Sequence, residues 1–220
     1  TVLTKKELKK WVDYALANNV LILFDATYEA FIQGPGIPHS IYEIRGAKKV
    51  AIEFRSYSKT LGFTGVRCGY TIVPKELNGF TRNSKEVKLN QLWKRRQSTK
   101  FNGTSYIAQR GAEASYTPKG VAQVKELINY YITNAKLLKS GFEYSGLKVY
   151  GGEHAPYLWV KAPRGMSSLK FFDNALYEYS LVGSPGVGFG PNGEGYLRFT
   201  AFSSRENILE AIHRLKHNKH

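Results

Sequence analysis

The spacing of apolar residues predicts alternating helices and short strands in the first part of the chain. Thr4 and Glu7 have the spacing of a capping box, so a helix is expected to begin there. The apolar residues that follow recur at helical spacing and predict the buried stripe of this helix. They are Leu8, Trp11, Val12, Ala15 and Leu16. Residues 20–24 then form an unbroken apolar run, which is typical of a strand buried on both faces.

Two further, mostly apolar stretches, residues 50–54 and 68–73, predict two more strands of the same unit. Asp25 directly follows the first strand, and residues 56–59 lie just past the end of the second. Open α/β sheets bind ligands at the carboxyl ends of their strands. We therefore expect Asp25 and Lys59 to face one crevice.

The rest of the chain predicts a second, smaller unit after a long connecting helix. Helices are expected over residues 85–97 and 118–140. Later strands are expected over 148–150, 157–161 and 196–202, and later helices over 167–179 and 203–216. Ser203 and Glu206 offer a second capping box. The pattern indicates an α/β domain over residues 1–120 and an α+β domain over 121–220.

The composition adds a strong positive charge to this picture. Among 220 residues, 32 are basic and 17 acidic, giving a formal charge of +15. Such a balance permits binding to phosphates, nucleic acid or acidic partners, and it also fits an incomplete sequence whose acidic counterpart lies elsewhere. The single cysteine, Cys68, excludes an intrachain disulfide and fits a reducing compartment such as the cytoplasm. No apolar run approaches the roughly 18 residues that span a bilayer, and no signal peptide is visible.

The segment SYSKTLGFTGVRCGY, residues 56–70, resembles the lysine site of fold-type-I enzymes that use pyridoxal 5'-phosphate. This cofactor needs an amine for its aldehyde, a carboxylate for its ring nitrogen, a partner for its phenolic oxygen and a cation for its phosphate. The candidates, in that order, are Lys59, Asp25, Tyr28 and Arg67. The hydroxyls of Ser56 and Ser58 and the backbone of Tyr57 are expected to complete the phosphate site.

Other segments narrow the resemblance to the LL-diaminopimelate aminotransferases over essentially the whole chain. These segments are FDATYEAF at 24–31, PHSIYE at 38–43, FNGTSY at 101–106, GGEHAPY at 151–157, GFGP at 188–191 and GYLRFTAF at 195–202. The resemblance implies part of a large cofactor-binding domain with a mostly parallel sheet, followed by a small α+β carboxyl-terminal domain. It also implies that Asn102 reaches the cofactor and substrate across a homodimer interface and that Arg198 clamps the substrate α-carboxylate. An outward-facing strand position explains Arg198 as well.

The reaction implied by the resemblance moves an amino group from glutamate to tetrahydrodipicolinate. The products, LL-2,6-diaminopimelate and 2-oxoglutarate, serve lysine and peptidoglycan biosynthesis, with Lys59 as general base and acid. Because the chain lacks an initiator methionine and the family is longer at its amino end, we expect a carboxyl-terminal portion that is inactive alone. Another fold-type-I aminotransferase remains the alternative within the same class.

Several other functions fit single motifs. Residues 82–100 carry seven basic side chains and Trp93, which could track a nucleic acid, although a solvated helix face accounts for the charge without any binding motif. A serine–lysine hydrolase fits residues 56–59 but lacks its companion motifs. Gly-x-Gly-x-x-Gly at 188–193 leads into a strand rather than a helix, which argues against a dinucleotide site. His213, His217 and His220 could share a helix face, but a frayed basic terminus explains them better than a metal site, and no metal is expected.

Overall fold

The computed structural model describes residues 2–217, and the chain divides into two compact units. One unit covers Val2–Leu127, and the other begins at Ile128. Each unit has its own buried apolar cluster. Within residues 2–217, no helix has the length and apolar content that crossing a membrane requires.

The first helix, α1 (Lys5–Asn18), begins at the predicted capping box. The Thr4 hydroxyl accepts a hydrogen bond from the Glu7 backbone N–H at 3.3 Å, and the Glu7 carboxylate accepts one from the Thr4 N–H at 2.8 Å. The buried stripe is narrower than predicted. It consists of Leu8, Val12 and Ala15, whereas Trp11 and Leu16 are exposed.

The first unit contains a three-stranded sheet in the order β1 (Ile22–Asp25), β2 (Ala51–Ser56) and β3 (Gly69–Ile72). β1 and β2 run parallel, while β2 and β3 run antiparallel. The prediction that the first strand is buried on both faces is wrong. Ile22 and Phe24 pack against the cluster that includes α1, but Leu23 on the opposite face is 64% exposed. Only one face of β1 is therefore covered within this unit.

A short helix, α2 (Tyr57–Thr60), follows β2 directly, and a hairpin of β4 (Asn78–Phe80) and β5 (Glu86–Lys88) follows β3. The helix predicted over 85–97 is wrong at its start, because residues 86–88 pair with β4. Helix α3 (Leu89–Arg96) continues into a π-helical turn at Gln97–Phe101. Helix α4 (Tyr106–Ala114) then precedes the long helix α5 (Pro118–Tyr144), which ends later than predicted.

The second unit is built on a four-stranded antiparallel sheet. Its strands are β6 (Val149–Gly151), β7 (Tyr157–Lys161), β8 (Ser184–Pro185) and β9 (Tyr196–Thr200), in the order β6-β7-β9-β8. Helices α6 (Ser168–Tyr179) and α7 (Arg205–His217) complete it. Leu158, Leu197 and Phe199 bury one sheet face in the unit's core. The predicted capping pair of Ser203 and Glu206 is wrong, because the hydroxyl of Ser204, not that of Ser203, accepts a backbone N–H at this helix start, from Asn207 at 3.2 Å.

Candidate active site

The segment that carries Lys59 leaves the sheet at the carboxyl end of β2. The Ser56 hydroxyl accepts the Ser58 N–H at 3.1 Å and so caps α2, while the Tyr57 N–H donates to the Cys68 carbonyl at 3.1 Å. Lys59 is the third residue of α2 and is half-buried. Hydrogen bonds donated by the Tyr57 and Ser58 N–H groups thus fix the chain just before the lysine.

Asp25 lies at the carboxyl end of the neighbouring parallel strand. It pairs in register with Phe54, and the Ala26 N–H donates to the Phe54 carbonyl at 2.9 Å. Its Oδ1 accepts the backbone N–H and the hydroxyl of Thr27, at 2.9 and 2.5 Å. Its Oδ2 accepts no hydrogen bond from the described part of the chain. Asp25 and the Lys59 segment therefore leave the same edge of the sheet.

Tyr28 and Glu29 lie in the turn that follows Asp25. Tyr28 is half-buried, precedes the 3-10 turn Glu29–Phe31, and has its ring centroid 6.3 Å from that of Phe31. The turn places a phenol and a carboxylate next to the strand end.

Arg67 and Ser58 meet on the other side of the lysine loop. The Arg67 Nη1 donates to the Thr64 carbonyl at 2.7 Å and lies 3.4 Å from the Ser58 hydroxyl oxygen. Arg67 has a φ of +62°, which non-glycine residues rarely adopt. Among residues 2–217 it forms no ion pair with a carboxylate. A cation and a hydroxyl thus converge without an anionic partner, which is the donor set that a phosphate requires.

A cluster of tyrosines adjoins this loop and was not predicted from the sequence. The Tyr57 and Tyr116 hydroxyls are 2.8 Å apart, and the Tyr57 and Tyr70 ring centroids are 5.7 Å apart. Burial raises the pKa of Tyr57 and of Tyr116. Burial, together with the Tyr116 hydroxyl, raises the pKa of Tyr70 to about 12. Only the backbone of Tyr57 was expected to take part in the site. Its side chain also belongs to this cluster, through the hydroxyl contact with Tyr116.

A network of ion pairs was also missed. Arg55 contacts Glu29 and Glu53 at 2.7 Å each, and its Nη2 donates to the His39 carbonyl at 2.9 Å. The Glu53 side chain is 0% exposed and also accepts the Ser40 hydroxyl at 2.7 Å. This network joins the turn after β1 to the end of β2. The pattern of apolar and polar residues along β2 did not predict this network, because an isolated Glu in a strand ordinarily faces solvent.

Asn102 ends the π-helical turn in a left-handed conformation, with a φ of +68°. Its N–H donates to the Gln97 carbonyl at 2.6 Å, and its side chain is exposed. The neighbouring Tyr106 and Ile107 are exposed as well, Ile107 by 84%. π turns are frequent at functional sites, and exposed apolar clusters mark interaction surfaces.

Arg198 belongs to the second unit, on the face of β9 opposite the core. Its neighbours Leu197 and Phe199 are buried, and its guanidinium carbon lies 4.8 Å from the Tyr157 ring centroid and 4.5 Å from that of Phe189. Across residues 2–217, Arg198 has no carboxylate partner. The position is outward-facing, yet the guanidinium lies against two aromatic rings.

The remaining motifs gain no catalytic support. Residues 188–193 form parts of two 3-10 turns that lead into β9, so they do not have the strand–loop–helix context of a dinucleotide site. His213 and His217 have ring centroids 4.3 Å apart, and His220 lies outside the described residues. No group of three metal-ligating side chains occurs within 2–217. The basic residues of 82–100 lie on exposed surface.

The comparisons decide the family. The sequence matches the model for aminotransferase class I and II over residues 1–215. The chain belongs to the aminotransferase class I and II family. The expected fold-type-I α/β architecture is confirmed by solved structures of related aminotransferases. One is L,L-diaminopimelate aminotransferase from Chlamydomonas reinhardtii, with a TM-score of 0.89 and 44% identity over 98% of this chain and 52% of that one.

Sequence relatives support the narrower resemblance. Proteins named LL-diaminopimelate aminotransferase from Parabacteroides distasonis and Bacteroides fragilis are each 68% identical over 98% of this chain and 53% of their own length. An aromatic aminotransferase from Pyrococcus horikoshii has a TM-score of 0.83 at 26% identity, over 98% of this chain and 55% of that one. The chain spans about half the length of the curated relatives it matches.

Proposed function

We propose that this chain forms part of a pyridoxal-phosphate-dependent LL-diaminopimelate aminotransferase. The reaction moves an amino group from glutamate to tetrahydrodipicolinate and yields LL-2,6-diaminopimelate and 2-oxoglutarate, in the cytoplasm. The names of the relatives support the substrate. The observation that best supports this chemistry is that the Arg67 Nη1 lies 3.4 Å from the hydroxyl oxygen of Ser58, the residue directly before Lys59. Because the chain spans about half of its relatives, the activity belongs to the longer protein.

The residues present fit the cofactor. Asp25 keeps Oδ2 available for a protonated ring nitrogen, and Tyr28 lies three residues further along the same turn for the phenolic oxygen. Arg67, Ser56, Ser58 and the backbone at Tyr57 would hold the phosphate. When bound, pyridoxal phosphate supplies an electron sink that stabilises negative charge at the substrate Cα.

Lys59 would hold the aldehyde carbon and afterwards move a proton. Its Nζ would accept the proton from the substrate Cα as general base and would donate a proton again as general acid. Arg198 binds the substrate α-carboxylate through paired N–H groups, which fixes the orientation of the Cα–H bond. That Arg198 pairs with no carboxylate within residues 2–217 supports that role.

The same proposal assigns residues 1–120 to the remainder of the large cofactor-binding domain and 121–220 to the connecting helix and small domain. It also includes a homodimer in which Asn102 serves the partner's site. The left-handed conformation of Asn102 and the exposed apolar side chains of Tyr106 and Ile107 support an interface there.

Borohydride trapping tests the cofactor site. The longer protein is incubated with pyridoxal phosphate, reduced, digested and analysed by peptide mass. We expect the label on Lys59, and none there in Lys59→Arg, which keeps the charge but replaces the amine by a guanidinium. Label on another lysine, or no label in a folded wild type, contradicts the proposal. Amino transfer to other keto acids but not to tetrahydrodipicolinate would favour another fold-type-I aminotransferase.

A further inference from the structure

We propose that Phe189, together with Tyr157, is a positioning residue that sets the affinity of Arg198 for a substrate carboxylate. This inference rests on the proposed function, since it concerns how Arg198 binds its ligand. The glycine-rich segment 188–193, which lacks the context of a dinucleotide site, thereby gains a function, because it presents the Phe189 ring to the guanidinium of Arg198.

The contacts of Arg198 are aromatic and close. Its guanidinium carbon lies 4.5 Å from the Phe189 ring centroid and 4.8 Å from that of Tyr157, both within the range of a cation–π interaction. Trp159, the register partner of Arg198 on β7, packs edge-on against Phe189 at 5.1 Å between ring centroids. Phe189 thus has a second aromatic contact besides the guanidinium, although it is 51% exposed.

The loop that carries Phe189 is held in place by close backbone packing. A Cβ on Gly186 would lie 2.0 Å from the Gly193 carbonyl oxygen, and a Cβ on Gly193 would lie 2.0 Å from the Gly186 carbonyl oxygen. The two 3-10 turns that contain these glycines, Gly186–Phe189 and Pro191–Gly193, can approach this closely only because both residues lack side chains. Phe189 therefore projects from a constrained loop.

Aromatic contacts suit a carboxylate-binding arginine better than an acidic partner would. A neighbouring Asp or Glu would occupy the N–H edge and compete with the ligand. A ring interacts with the π-face of the guanidinium and leaves the in-plane N–H donors for a bidentate carboxylate. The rings also restrict the long side chain before the ligand arrives, so less conformational entropy is lost on binding.

The experiment measures ligand affinity apart from turnover. Glutarate, an unreactive five-carbon dicarboxylate, is titrated calorimetrically into the longer protein loaded with pyridoxal phosphate. Phe189→Leu keeps an apolar side chain but removes the ring, so we expect the Kd of glutarate and the KM of glutamate to rise about three- to tenfold. The kcat at saturating glutamate should change less than about twofold, because the interaction binds ground state and transition state alike.

Two matched variants separate positioning from general damage. Phe189→Tyr restores a ring and should return the Kd to within about twofold of wild type. Tyr177→Leu removes another exposed aromatic side chain of the same unit, 78% exposed on α6, and should leave the Kd unchanged. An unchanged Kd in Phe189→Leu, or equal weakening in Phe189→Leu and Phe189→Tyr, overturns the proposal. An active wild type with either result refutes only the positioning role, whereas a wild type that holds neither cofactor nor glutarate refutes the proposed function as well.

Discussion

Thr104 donates its hydroxyl hydrogen to the backbone carbonyl oxygen of Arg67 at 2.8 Å. The bond joins the loop that carries Asn102 to the residue expected to bind the phosphate. Arg67 has the unfavourable φ of +62°, so its backbone needs external support. If Asn102 serves a partner's site, the same bond connects the phosphate site of one subunit to a residue used by the other.

Removal of the Thr104 hydroxyl should weaken cofactor binding. Thr104→Val keeps the shape but leaves the Arg67 carbonyl without this donor, and a hydrogen bond of about 1 kcal/mol corresponds to roughly a fivefold rise in the Kd of pyridoxal phosphate. Equilibrium dialysis with the free cofactor measures it. Thr133→Val is the control, because the Thr133 hydroxyl donates to the Asn129 carbonyl of its own helix, at 2.7 Å, and not to the lysine loop. Equal Kd values for the two variants would show that the bond to Arg67 has no role in phosphate binding.

The buried carboxylate of Glu53 should contribute strongly to stability. It is 0% exposed and accepts hydrogen bonds from Arg55, the Ser40 hydroxyl and the Ile41 N–H. Glu53→Gln removes the charge that compensates part of Arg55, so we expect a loss of about 3 kcal/mol in the free energy of unfolding, measured in urea.

An exposed ion pair provides the comparison for Glu53. The Lys9 Nζ and the Asp13 Oδ2 are 2.5 Å apart on the surface of α1. An exposed ion pair of this kind contributes less than about 1 kcal/mol to the free energy of unfolding. Lys9→Gln should therefore change stability far less than Glu53→Gln. Similar losses in both variants would mean that burial of Glu53 does not determine its contribution.

We expect the protein to lose stability at alkaline pH because of the partly buried Tyr42 hydroxyl. It donates to the Ala51 and Ile72 carbonyls at 3.1 and 3.0 Å, and burial, with the charge of Glu53, raises its pKa from 10.0 to about 12. The unfolded chain releases this proton near pH 10, whereas the folded chain keeps it until about pH 12. The stabilisation is therefore complete below pH 10 and is lost as the pH rises towards 12.

Tyr42→Phe tests this dependence. The variant is expected to be less stable at neutral pH, because both carbonyls lose their donor, but its stability should fall less steeply between pH 10 and 12. Tyr177→Phe, on an exposed part of α6, should keep the wild-type slope. Unfolding in urea at several pH values measures how the free energy of unfolding of each variant changes with pH. Equal pH dependence in Tyr42→Phe and wild type would contradict the role given to the Tyr42 hydroxyl.

The sequence predicted the elements whose signals are local. The capping box of Thr4 and Glu7, the strand at 157–161 and the start of the long helix at Pro118 depend on neighbouring residues, and the structure confirms them. The strand at Glu86–Lys88 was missed because its partner, β4, is paired through a turn that helical periodicity does not reveal. Leu23 was placed inside because an apolar run does not say whether any element covers each face.

The candidate site, like the fold, was predictable in part. Asp25 and the Lys59 segment lie at one sheet edge, as the strand geometry predicted, because parallel pairing brings carboxyl ends together. The contacts that fix the site were not predictable. Arg55 with Glu29, Tyr57 with Tyr116 and Thr104 with Arg67 join residues 26 to 59 positions apart, and each residue taken alone resembles ordinary polar surface.

Gly186 and Gly188 offer a matched test of the close backbone packing in the loop that carries Phe189. Gly186→Ala places a Cβ 2.0 Å from the Gly193 carbonyl oxygen and 2.8 Å from that of Tyr196, and backbone atoms cannot move aside as a flexible side chain can. Gly188→Ala meets no atom within 4 Å. We expect Gly186→Ala to lower the free energy of unfolding by about 2–3 kcal/mol, and Gly188→Ala to leave it unchanged or raise it by up to about 1 kcal/mol through the unfolded chain. Urea unfolding of both variants decides the point, since equal stabilities would show that the loop relaxes and that close packing does not hold Phe189.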